Sequence, residues 1–321
     1  MSGRLAMKAL CAALCLLPAL AGAQYPSRPI RLVLPFGAGG VADITTRSLA
    51  PKLAESLGQQ VVVENKPSAG GIVAAEQVAR AEPDGYTLLL ITNGAATATA
   101  MYKSLPYDPV NDFAMISTVG FFGLAVVTDP KSPVKTVQDV IALAKASPGK
   151  YNIGSISVGS TQYLAAALFR SSADLDMQLI PYKATPEVFI GLKSQDILIA
   201  FEILAPLMAN IKAGNLRAVA VTGTKRFPGL PDVPTVAESG VPGYDVASWN
   251  GLAAPAKTPR AVIERLHKEV VKALASPEVQ KRFAEVGVEP RSSSPAELRE
   301  FFISESRRWS KVVEAANIPK Q

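Results

Sequence analysis

Cysteine and histidine are nearly absent from this 321-residue chain, which has two of the first and one of the second. Both cysteines, Cys11 and Cys15, fall in a stretch that reads as an export leader. Arg4 and Lys8 form its basic start, residues 9–20 its apolar run, and Ala21-Gly22-Ala23 a small-residue cleavage site before Gln24. Leu14 stands where lipid attachment at Cys15 would need a small residue, so a lipoprotein is not expected. The sequence therefore predicts a cleaved signal peptide over 1–23, a periplasmic location, and a mature chain without disulfide or thiolate chemistry. His267 lies among Glu264, Arg265, Lys268 and Glu269 and is expected on a solvated helix face. One histidine without cysteine excludes Ser-His-Asp, Cys-His and zinc-type arrangements together. No metal and no cofactor are expected.

Aromatic residues make up 7% of the chain and basic ones are scattered, so the basic patch with stacking rings of a nucleic-acid binder is missing. Past the leader, no apolar run approaches the roughly 20 residues of a membrane span. The chain carries 33 basic and 27 acidic residues, and loss of Arg4 and Lys8 with the leader lowers its formal charge from +6 to +4. A mild positive charge suits a small anionic ligand. The mature chain is long enough for two lobes and is expected to be monomeric.

What is present is an alternation of strand-like and helix-like segments, the pattern of an α/β fold. Strands are expected at 32–34, 61–63, 87–91, 115–118, 124–127, 152–153, 179–180, 197–201, 218–221 and 251–253. The C-terminal part is expected to be helical only, over about 260–274, 278–286 and 296–316. Thr258-Pro259, Ser276-Pro277 and Ser294-Pro295 each offer an N-cap oxygen followed by proline at the first helical position. Ser294 with Glu297 completes a capping box. Two strand-forming stretches, 113–129 and 247–254, are long enough to run from one lobe into another. Two crossings by one chain imply a hinge, with the cleft beyond the carboxyl ends of the strands.

The candidate site residues follow strands in both halves. The strand ending at Leu34 enters Pro35-Phe36-Gly37-Ala38-Gly39-Gly40, and a helix opens near Asp43. Glycines let backbone approach an anion, and the helix start directs free N–H groups at it. A second turn, from Ser155 through Ser157 and Gly159-Ser160-Thr161-Gln162, puts hydroxyls beside another helix start. As N-caps those hydroxyls need no ligand. Thr92-Asn93-Gly94 forms a third polar turn. Tyr182 and Lys183 follow one strand and Glu202 ends another, where it either meets solute or pairs internally with Lys183.

The chain resembles the solute receptors of tripartite tricarboxylate transporters, the Bug family, over essentially its whole mature length. The resemblance rests on Tyr25-Pro26-Ser27-Arg28-Pro29-Ile30, the Pro35 to Gly40 turn with Asp43, and Val63-Glu64-Asn65-Lys66-Pro67 with Ala69-Gly70-Gly71. Pro83 to Leu88, Leu105 to Pro109, Pro181-Tyr182-Lys183 and Leu230 to Thr235 continue it in order. It implies a type II-like periplasmic binding protein: two lobes, 24–124 with 248–321 and 125–247, closing on a small organic acid in a central cleft. It implies no catalysis, and delivery of the acid to membrane transporter subunits. It carries a ligand-carboxylate role to Phe36, Ala38, Gly39 and Asp43 in one lobe, and to Ser155, Gly159, Ser160 and Thr161 in the other. Gly40, Thr92, Asn93, Gly94, Gln162, Tyr182 and Glu202 complete the expected lining.

The chain departs from the family pattern at Val41-Ala42, Tyr163, Ala184, 194–197 and Glu202, which leaves the identity of the acid open. Two other readings stand beside transport. A sensor would hand the bound solute to a signalling partner, and a serine hydrolase would use Ser155 or Ser160 with Lys183 as base.

Overall fold

The structure is a computed structural model that describes residues 25–321 apart from 157 and 317. The expected signal peptide, with both cysteines, lies outside these residues, as does Ser157 of the second polar turn. The chain opens with β1 (Ile30–Leu34), α1 (Val41–Leu57), β2 (Val61–Asn65), α2 (Ile72–Ala79), β3 (Thr87–Thr92) and α3 (Asn93–Met101). The long β4 (Phe113–Thr128) leads to α4 (Val137–Ala146), β5 (Asn152–Ile156), α5 (Thr161–Ser172), β6 (Gln178–Tyr182) and α6 (Thr185–Ser194). Next come β7 (Ile199–Ile203), α7 (Leu204–Lys212) and β8 (Arg217–Val221). The chain returns through β9 (Ala247–Pro255) and ends in α8 (Arg260–Leu274), α9 (Pro277–Glu285), β10 (Val288–Pro290) and α10 (Pro295–Ala315).

The fold is the two-lobed α/β arrangement expected, and β4 is its backbone. The first part of β4 pairs antiparallel with β9, from Phe113 opposite Pro255 to Gly123 opposite Ala247. From Leu124 onward its partners are β7 and β8 instead. On one side the order runs β2-β1-β3-β9-β4, with β1 parallel to β2 and β3; on the other it runs β4-β7-β5-β6, with β5 parallel to β6 and β7. The crossing is stitched by the buried Thr222, whose Oγ1 donates to Val246 O at 2.7 Å while its N–H donates to Leu124 O at 3.0 Å.

Buried runs of Ile, Leu and Val fill both faces of each sheet, as strands covered by helices on two sides require. α10 belongs to both sides: Leu298 and Phe302 pack with Trp249, whereas Trp309, Val312 and Val313 join the core around Phe169 and Phe201. Among the described residues no helix is long and apolar enough to cross a membrane.

Several expectations are corrected. Residues 288–290 form a strand against 120–122 of β4, so the C-terminal part is not purely helical. A helix, not a turn, starts at Asn93, because Ala95, Ala96, Ala98 and Ala100 supply buried, strong helix formers. Ser294 and Glu297 make the capping box, but Thr258 caps nothing and Ser276 donates to Ala273 O instead of capping α9. His267 is half-buried, with Nδ1 enclosed and unpartnered among the described residues, because its side of α8 turns partly inward.

Candidate functional site

The strand registers bring the expected turns to one region. Thr92 at the carboxyl end of β3 stands opposite Asn250 of β9, which in turn stands opposite Gly120, close to the crossing in β4. From the other side, Glu202 at the carboxyl end of β7 stands opposite Ala125, one residue past Leu124. The carboxyl ends of β3 and β7 therefore approach the crossing from its two sides, and β1 and β5 run parallel to them.

In the first turn, Gly39 adopts φ +85° and its N–H donates to Asp43 Oδ2 at 2.9 Å. Asp43 Oδ1 accepts from Arg47 Nε and Asn65 Nδ2, both at 2.9 Å, and Asn65 also donates to Phe36 O at 3.0 Å. Burial of the Asp43 carboxyl opposes its charge, yet the bonds from Gly39, Asn65 and Arg47 hold it below the usual carboxylate range. Asp43 thus fixes the shape of the turn from beneath. Around it, Phe36, Gly37, Ala38, Gly39 and Gly40 are exposed, and a Cβ on any of the three glycines would meet no heavy atom within 4 Å. Gly40 caps α1 without a side chain, so the helix start faces open space.

In the second turn the hydroxyls act locally. Ser155 Oγ is buried and donates to Ile156 O at 3.1 Å. Ser160 Oγ donates to the same carbonyl at 3.1 Å and accepts from Tyr163 N, capping α5. Gly159 adopts φ +83°, and a Cβ there would touch Met101 of α3. Thr161 reaches across: its Oγ1 accepts from Asn93 Nδ2 at 3.0 Å and lies 3.3 Å from Ser248 Oγ. Gln162 is buried in the first turn of α5.

In the third turn, Thr92 and Asn93 are buried, and Gly94 lies beside Gly70 O. Asn93 Oδ1 accepts from Trp309 Nε1 at 2.9 Å. That indole also donates to Glu305 Oε2, as does Trp249 Nε1. Ser248, Trp309 and Glu305 escaped sequence reasoning, since no local motif marks residues that meet Asn93 and Thr161 only in three dimensions. Asn250 was missed too; it is buried beside Thr92, with Oδ1 unpartnered among the described residues.

Of the remaining two candidates, Tyr182 stands apart from these turns, whereas Glu202 lies against Gln162 of the second. The Tyr182 hydroxyl lies over Gly191 of α6, where any added Cβ would collide with it. Glu202 is 1% exposed; its Oε2 accepts from Thr185 Oγ1 at 3.2 Å, and Oε1 has no partner among the described residues. The alternative pairing with Lys183 is not made among the described residues: β5 separates β7 from β6, and Lys183 is exposed beyond β6, its N–H donating to Glu187. With no cation in contact, burial pushes the Glu202 carboxyl up to about 7, against weaker pulls from Thr185, Gln162 and the Ile203 N–H.

Residues 45–318 match the family model described as tripartite tricarboxylate transporter family receptor. The protein BugT of Bordetella pertussis is 35% identical over 291 residues, covering 90% of this chain and 89% of its own. The solved periplasmic binding protein BugD superposes with a TM-score of 0.80 at 33% identity, over 92% of this chain and all of its own. The R. palustris protein Rpa4515, solved with adipate, superposes with a TM-score of 0.82 at 32% identity, over the same shares. This chain belongs to the tripartite tricarboxylate transporter receptor family, the Bug-type periplasmic solute-binding proteins.

Proposed function

We propose that this protein, exported through its leader, captures a small organic acid between its lobes and hands it to the membrane subunits of a tripartite tricarboxylate-type transporter. The observation that carries the reading is the exposed Phe36–Gly40 backbone at the start of α1, with open space beyond each glycine, on the same sheet end where α5 of the other lobe reaches Asn93 through Thr161. Backbone N–H groups at a helix start bind a carboxylate without any basic side chain. Rpa4515, with adipate bound, supports a dicarboxylate as the first solute to try. The lobes divide as 24–124 with 248–321 and 125–247, a division supported by the change of β4 partners at Leu124. α10 belongs to the first lobe in sequence and braces both through Trp309.

Hydrolysis is disfavoured by geometry. Both candidate nucleophiles donate to Ile156 O, and no basic side chain bonds either one among the described residues. The test is a thermal-shift screen against mono-, di- and tricarboxylates, with adipate included, followed by titration calorimetry of any acid that stabilises. A solute bound to the folded state alone raises stability by roughly 2.7 kcal/mol at a hundredfold excess over Kd. Silence across the whole panel would remove the organic-acid reading.

A further inference from the structure

Glu202 brings into the second lobe a carboxyl group that solute capture leaves without a role. It sits one residue from the crossing, opposite Ala125, and is 1% exposed. Two helix starts converge on it: Thr185 opens α6 and donates to Oε2 at 3.2 Å, and Gln162 lies in the first turn of α5. Oε1 is buried and unpartnered among the described residues.

Among the described residues no charged side chain bonds it. β4 contributes Ala125, and the adjoining end of β5 contributes Ser155 and Ile156, none of them titratable. α5 carries Tyr163 near its start and Arg170 in its last turn, where the guanidinium donates to Ala316 O. α6 carries Glu187, held by the Lys183 N–H, and Lys193 in its last turn. α7, which follows directly, has no ionisable residue before Lys212. An isolated carboxyl in such surroundings favours its neutral form, which here lies close to balance at neutral pH.

We infer that Glu202 takes up a proton from the medium when the cleft captures an anionic solute, so that capture and protonation form one linked equilibrium. The inference rests on the capture reading above. A solute carboxylate held at the start of α5 places a second negative charge in the same poorly hydrated wall. Two such charges repel, and protonating Glu202 relieves the repulsion. Linkage then requires solute to raise the Glu202 pKa and to bind more weakly as pH rises.

Calorimetry with adipate, or with whichever dicarboxylate of the panel binds, decides it. Titrations near neutral pH in two buffers of different ionisation enthalpy report the protons taken up. We expect the apparent heat to depend on buffer. Affinity should fall between about pH 6.5 and about pH 8.5, by up to about tenfold for each unit that solute raises the Glu202 pKa. Glu202→Gln, checked for native circular dichroism, should bind with one affinity across that range and take up no proton. If that variant does not fold, the proton count on the natural chain decides alone. Binding that is independent of both buffer and pH overturns the linkage and leaves capture standing. Absence of binding by every acid at every pH overturns capture and the linkage with it.

Discussion

The Asn93 amide donates to Thr161 Oγ1 at 3.0 Å, so the first residues of α3 and α5 touch where the two lobes meet. Asn93 also accepts from Trp309 Nε1 of the C-terminal helix. One buried amide therefore connects β3, the second lobe and α10.

Asn93→Ala should cut these connections together. Thr161 keeps a hydroxyl neighbour in Ser248 and Trp309 keeps Glu305, so the loss is partial. Breaking a buried bond of this kind costs about 1–3 kcal/mol. Urea unfolding should show that loss, and solute affinity should fall because Thr161 is no longer held toward α3. An unchanged midpoint together with unchanged affinity would make the contact incidental.

Two adjacent glycines of the first turn separate backbone strain from occupancy. Gly40 has φ −77° and ψ 169°, which any residue adopts, and open space beyond it. Gly39 has the same open space but φ +85°. Gly40→Val should therefore weaken solute binding at nearly unchanged stability. Gly39→Val should also destabilise the fold, by about 1–2 kcal/mol, because a branched residue there opposes the left-handed backbone. Titration calorimetry beside urea melts tests both. Full affinity in Gly40→Val would show that the turn only connects β1 to α1.

The glycine turn and most strands were legible in the sequence because local chemistry dictates them: β-branched runs make buried strands, and Gly37, Gly39 and Gly40 leave a backbone bare. Capping was legible at Ser294, where a box exists, and at Ser160, which caps α5 alone. Ser294 and Glu297 satisfy each other, whereas Ser276 found a carbonyl of the preceding helix instead. What stayed hidden depends on register. Nothing around Trp309 announces a bond to Asn93, 216 residues away, and nothing around Lys183 reveals that β5 separates it from Glu202.

Thr222 offers a test of the hinge. Its Oγ1 lies 3.2 Å from both Leu124 N and Leu124 O and donates to Val246 O at 2.7 Å, joining the two chain crossings. Thr222→Val keeps the shape and removes the hydroxyl, at an expected cost of about 1–3 kcal/mol. Small-angle scattering on the natural chain should show compaction with saturating solute, and the variant should shift the solute-free profile. Identical profiles for free and bound natural protein would rule out closure about this crossing.

Glu202 should shape the pH dependence of stability even without solute. Burial raises its carboxyl from the ordinary 4.5 to about 7 in the folded chain, and unfolding returns it to the ordinary value. As pH rises, the unfolded chain therefore releases this proton first. The protonated acid contributes its full stabilisation below about pH 4.5, and that contribution is lost as pH rises through about 7. The difference is on the order of 3 kcal/mol for a shift of this size. A glutamine amide cannot ionise, so Glu202→Gln should gain stability relative to the natural chain between about pH 4.5 and about pH 7, and hold that gain above it. Guanidinium unfolding at half-unit pH steps measures the difference directly. Two parallel profiles would mean that Glu202 titrates as an ordinary carboxyl, and its burial would then have to be relieved by water reaching Oε1.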